Sequence, residues 1–90
     1  MRISVELSLY PLQDNPIPVI QDFIHDLPGA PDVDIVTNQM STQLRGEFAT
    51  VMNIVTAAIE RSFAAGGHQV LVAKLINADL PIGEPPQLKS

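Results

Sequence analysis

Residues 2–10 read Arg2-Ile3-Ser4-Val5-Glu6-Leu7-Ser8-Leu9-Tyr10, with apolar and polar side chains alternating along the stretch. A period of two marks a strand with one apolar side (Ile3, Val5, Leu7, Leu9) and one polar side (Ser4, Glu6, Ser8, Tyr10). Pro11, which has no N–H to give to a ladder, closes it. A strand of this kind needs apolar elements on one side only, so the question becomes what the remaining residues supply.

Moving outward, the loop Gln13–Pro18 is rich in turn formers. Val19, Ile20, Phe23, Ile24 and Leu27 then space out as a helical stripe, predicting a short helix from about Pro18 to Asp26 that Pro28-Gly29 stops. Asp34–Asn38 reads as a second strand and Ser41–Arg45 as a third, with a turn near Gln39; the two are too close in sequence for anything but a hairpin. Gly46 is expected to break the third strand. A long helix follows over about Glu47–Ala65, with Phe48, Val51, Met52, Val55, Ala58, Ile59 and Ser62 or Phe63 on its apolar stripe and Gly66-Gly67 as its stop. Gln69–Asn77 is the last strand; it is apolar on both faces, the pattern of a central or interface strand.

The order is βαββαβ, an α+β ferredoxin-like domain whose four-stranded antiparallel sheet carries two helices on one face. A helical bundle is excluded by the first and last strands, and a Rossmann half by the missing glycine loop. The domain is expected over residues 1–80, with 81–90 as a proline-rich C-terminal tail. Two helices cover one sheet face, so the other meets water, a ligand or a partner. It is expected to carry Ser4, Glu6, Ser8 and Tyr10, then Ser41, Gln43 and Arg45. The last strand adds either Val70, Val72 and Ile76 or Leu71, Ala73 and Leu75. Either choice lays an apolar strip on a polar face, the pattern of a homo-oligomer, dimer or tetramer.

Composition narrows the function classes. The chain has 90 residues, no cysteine and a formal charge of −5, with a pI near 4.6. Disulfides and thiolate chemistry are excluded. Five scattered Lys and Arg residues make no phosphate-tracking surface, so no nucleic-acid partner is expected. No apolar run approaches the roughly 20 residues of a membrane span, and Glu6 interrupts any signal-like stretch, so no membrane partner and a cytoplasmic location are expected. His25 and His68 lack partners at ligand spacing, and no nucleophile or paired titratable group stands out, so neither a metal site, a cofactor nor enzyme activity is expected.

The densest polar cluster is Thr37–Gln43. Asn38 and Gln43 amides with Ser41 and Thr42 hydroxyls suit a heteroaromatic ligand that needs paired hydrogen bonds. The same residues also describe a plain turn with solvent-facing hydroxyls. Tyr10 offers a ring to stack and a hydroxyl, with Ser8 beside it on the polar face; Asn77 and Asp79 could add polar contacts or simply turn the chain.

The stretch Thr37–Val55 (TNQMSTQLRGEFATVMNIV), the later RSFAAGG and QVLVAKLINADL, and the opening ISVELSLYPL resemble the YkoF-type family of thiamine/hydroxymethylpyrimidine-binding proteins and the related short MTH-type thiamine-binding domains. The resemblance spans most of residues 3–80. It implies a ferredoxin-like domain that pairs through its sheet and binds thiamine or its pyrimidine half. YkoF-type chains carry two such domains in tandem; with one copy here, a homodimer would stand in for the pair. Carried across, the implied ligand-binding residues are Ser8, Tyr10, Asn38, Ser41, Thr42, Gln43 and Asn77. The alternative is a structural or protein-interaction module that assembles through its sheet face and takes no small ligand.

Overall fold

A computed structural model of the chain describes residues 1–88; Lys89 and Ser90, the end of the proline-rich tail, lie outside the described residues. The elements are β1 (Arg2–Pro11), α1 (Ile17–His25), β2 (Asp34–Thr37), β3 (Thr42–Glu47), α2 (Phe48–Ala64) and β4 (Gln69–Ile76). The sheet is antiparallel throughout, in the order β2-β3-β1-β4. This is the expected ferredoxin-like architecture, with each element within a few residues of its anticipated bounds.

The alternation of β1 organises the core. Ile3, Val5, Leu7 and Leu9 are buried beneath the helices, joined by Leu44 of β3, Phe23 of α1 and Val51, Ile54, Val55 and Ala58 of α2. Burying each such large side chain contributes about 1.5–3 kcal/mol. On α2 the stripe continues through Ser62 rather than Phe63, which turns outward along with Phe48. Ser62 is held there by Gln69: its hydroxyl donates to Gln69 Oε1 at 2.7 Å, and Gln69 Nε2 donates back to the Ser62 carbonyl at 2.8 Å. Gly66 and Gly67, with φ of 108° and 78°, then turn the chain into β4.

One expectation is corrected and another narrowed. Gly46 does not break β3 but sits within it, opposite Ile3. Its role is close packing: a Cβ there would lie 3.0 Å from the Asp32 carbonyl oxygen, 3.0 Å from Val33 Cγ2 and 3.2 Å from Val51 Cγ2. Of the two readings of β4, central or interface strand, the sheet order removes the first: β4 is an edge strand. Its burial is correspondingly incomplete, with Val70, Val72, Leu75 and Ile76 between 45% and 51% exposed.

No helix among the described residues is long and apolar enough to cross a membrane. The Gly46 contact can be tested by thermal unfolding. Gly46→Val should destabilise the domain by about 1–3 kcal/mol through overpacking against Val33 and Val51, and an unchanged melt would show that α2 has room to move.

Candidate functional site

Directly opposed residues in an antiparallel sheet share a face, so the register assigns the side chains. Tyr10 is opposite Val70, Ser8 opposite Val72, Glu6 opposite Lys74 and Ser4 opposite Ile76. On the other flank Glu6 faces Gln43, and Ser4 faces Arg45, which faces Asp34. The uncovered face therefore takes the Val70, Val72, Ile76 set of β4, together with Lys74. Leu71, Ala73 and Leu75 lie on the helix side.

Half of this face is already occupied. After β4 the chain folds back as a strap. The Ser4 hydroxyl donates to the Ala78 carbonyl at 2.8 Å and accepts from the Leu80 N–H at 2.9 Å. Arg45 donates from Nη1 to the Leu80 carbonyl at 2.9 Å and from Nε to Asp34 at 2.6 Å. Arg2 pairs with Asp79 at 2.9 Å. Further on, Gly83 passes over Val36 of β2. The strap thus runs from β4 across β1 and β3 to β2, which explains why Ser4 is only 4% exposed on the nominally open face. The hydrogen bond to Asp34, ahead of the surrounding acidic charges, holds the Arg45 guanidinium above its ordinary pKa.

A groove of about 250 Å³ opens where β1 outruns β3. The last β1–β3 pair is Leu7 with Thr42, whereas pairing with β4 continues to Pro11. Beside Ser8, Leu9 and Tyr10 the β3 side of the ladder is therefore left open, and the turn Asn38–Ser41 and helix α1 form the opposite wall. Leu7, Leu9, Ile20, Phe23 and Ile24 supply an apolar lining; Ser8, Tyr10, Asn38, Ser41 and Thr42 supply polar groups. Five of the seven residues singled out in the sequence thus meet at one groove.

Their states differ. Tyr10 is 54% exposed, free to stack. Asn38 shapes the turn, its Oδ1 accepting from the Met40 and Ser41 N–H groups at 2.9 and 3.1 Å. Ser41 donates to Glu6 Oε2 at 2.9 Å, and Lys74 Nζ approaches Glu6 Oε1 at 3.6 Å. Thr42 is 3% exposed on the helix side, its hydroxyl 3.0 Å from that of Thr37. Gln43 lies elsewhere, lining a more apolar groove of about 360 Å³ with Ser4, Glu6, Lys74, Ile76 and the strap residues Leu80 and Ile82. Asn77 lies just beyond β4, is exposed, and lines neither groove. The apolar wall from α1 was absent from the sequence-based site, although the spacing of Ile20, Phe23 and Ile24 already placed them on one helix face. Among the described residues, no three His, Asp or Glu side chains converge as a metal site would require.

No family model matches the chain, and no curated protein matches it. Its fold is that of several solved structures. Protein SP2199 from Streptococcus pneumoniae superposes with a TM-score of 0.79 at 26% identity, covering 92% of this chain and 93% of that one. A domain of unknown function, DUF77, from Bacillus cereus gives 0.71 at 17% identity, covering 91% and 84%. A candidate thiamine biosynthesis/salvage protein, TM0486, from Thermotoga maritima also gives 0.71 at 17% identity, covering 96% and 90%.

The strap is testable through its anchor. Ser4→Ala removes the hydroxyl that serves both Ala78 and Leu80 and should cost about 1–2 kcal/mol, lowering Tm by roughly 5–15 °C in a domain this small. An unshifted Tm would mean that the strap adds nothing to stability.

Proposed function

We propose that this chain is a non-catalytic binding protein for thiamine or its hydroxymethylpyrimidine half, acting as a homo-oligomer. The observation that carries the reading is the groove at the end of β1. There an open ladder edge, the polar turn Asn38–Ser41 and the exposed Tyr10 border an apolar lining from β1 and α1. An aminopyrimidine is flat, carries ring acceptors beside an amino donor, and matches such a mixed wall. Size bears on which part of the ligand enters. At about 250 Å³ the groove falls just below the roughly 300–1,000 Å³ of drug-sized sites, so it suits one ring, with the rest of a thiamine projecting outward. The chain's net charge of −5 favours a cationic ligand. The lining holds hydroxyls, amides and apolar groups, without carboxylate or imidazole, which suits holding a ring rather than moving its protons.

The YkoF-type resemblance in sequence and the fold shared with the Thermotoga maritima protein point the same way. A second reading, an interaction module without a small ligand, is favoured by one observation: the half-exposed apolar residues of β4.

Calorimetry with thiamine, its phosphates and free hydroxymethylpyrimidine separates the two. Heat is expected from the pyrimidine-bearing ligands. Tyr10→Ala should weaken binding about three- to tenfold, the worth of one aromatic stacking contact, and Ser41→Ala should weaken it as well. Tyr10→Ala should leave the melt nearly unmoved, since Tyr10 is exposed, whereas Ser41→Ala also removes the part-buried hydrogen bond to Glu6 and should lower Tm by a few degrees. Silence at millimolar ligand with folded protein would leave only the interaction module.

A further inference from the structure

We propose that the free edge of β4 is the surface on which a second copy of this chain docks. The two β4 strands pair antiparallel about a two-fold axis at Ala73 and form one continuous eight-stranded sheet. This rests on the self-association part of the function proposed above and names its surface and register.

The first observation is the unprotected edge. β4 has eight residues and, among the described residues, pairs only with β1, which leaves the opposite side of its backbone without a strand partner there. Sheet edges are ordinarily blunted by shortness, proline, bulges or charge, because unpaired N–H and C=O groups template further strands. β4 carries Val70, Leu71, Val72, Ala73, Leu75 and Ile76, with one charge, Lys74. That lysine is on the open face near Glu6 rather than among the helix-side residues.

The second observation is the course of the strap. The strap leaves the end of β4 in the opposite direction, over Ser4, then Arg45, then Val36. It covers the β2–β3 half of the open face, and residues 78–83 run away from the β4 edge.

The third observation is self-complementarity. With both open faces on one side, a two-fold at Ala73 sets Leu71 opposite Leu75, Val70 opposite Ile76, Val72 opposite Lys74 and Gln69 opposite Asn77. Every branched aliphatic except Val72 meets another, the small Ala73 meets itself on the axis, and the polar ends coincide. A shift by one residue toward the C-terminus places Lys74 against its own copy, a like-charge pair that destabilises a sheet. A shift the other way sets Gln69 against Leu75 and leaves Ile76 beyond the partner strand. The side chains therefore choose one register, as an isologous contact demands.

Two measurements on the full chain test this. Light scattering should give twice the 9.7 kDa chain mass, or four times it if dimers pair further, and Val72→Lys, at an exposed position of the edge strand, should return it toward the single-chain value with the fold intact by circular dichroism. Because the chain has no cysteine, Ala73→Cys introduces one thiol. Opposed Cα atoms at about 4.5–5.5 Å suit a disulfide, so mild oxidation should capture a covalent dimer. Val70→Cys is the control: its copies would lie six residues apart along the ladder, about 20 Å at strand rise, and should stay uncoupled. A single-chain mass at all micromolar concentrations would overturn both this surface and the self-association it rests on. An oligomer that couples through Val70→Cys but not Ala73→Cys would overturn this surface alone.

Discussion

Nearly everything in this domain hangs on the alternation along β1. The strand is central, paired with β3 on one side and β4 on the other, and its two faces do separate work. Ile3, Val5, Leu7 and Leu9 form the floor of the core; Ser4, Glu6, Ser8 and Tyr10 present the polar ladder to which the strap, the Glu6–Ser41 contact and the groove are attached. A slip of one residue in register would exchange the two sets at once. Magnitudes rank the faces: four buried aliphatics at about 1.5–3 kcal/mol each outweigh the strap's hydrogen bonds at about 1 kcal/mol each. The core supplies the larger share of stability, and the strap adds a smaller increment to it.

The groove follows from unequal strand lengths. β1 runs four residues past its last partner in β3, because Asn38 draws its own turn closed by accepting from Met40 and Ser41. The turn is thus a structural feature and a wall of the groove together; the choice between plain turn and ligand contact posed by the sequence is not an exclusive one for Asn38, whose Oδ1 is used locally while its amide nitrogen makes no hydrogen bond among the described residues. Thr42 differs. Its hydroxyl pairs with Thr37 on the helix side, so it lines the groove from beneath.

Period and punctuation made the fold legible in the sequence: the clean alternation of residues 2–10, the helix stripe through Val51, Val55 and Ala58, and the Gly66-Gly67 stop. Less legible was anything set by sheet order. Hydrophobicity on both faces of residues 69–77 fits a central or an interface strand, and only the observed order puts β4 at the edge. Gly46 looks like a breaker in one dimension, since its packing partners Asp32 and Val33 reach it through the tertiary fold. Five site candidates converge because strand end and hairpin turn are neighbours in any such sheet. Gln43 shares the open face with Ser8 and Tyr10 but is paired back along the strand at Glu6, so it lines the neighbouring groove rather than the open end of β1. Ser4 could not be recognised as an anchor, because the residues it holds are more than 70 positions away.

The strap also decides how assembly and ligand binding divide the molecule. An uncovered sheet face invites face-to-face stacking, but residues 78–83 already cross its β2–β3 half, fixed by Ser4 and Arg45. What stays apolar and accessible is the β4 flank. The groove lies on the opposite flank of β1, between the strand's end, α1 and the hairpin turn. The proposed association along β4 would therefore leave the groove's mouth untouched, and a ligand there would meet the same walls in one copy or two. Tyr10 is the point of contact between the two regions, since it lines the groove and sits opposite Val70 of β4. Any coupling between occupancy and assembly has its shortest route through that pair: a ring that stacks on Tyr10 fixes its rotamer, and with it the surface that Val70 presents beside the edge.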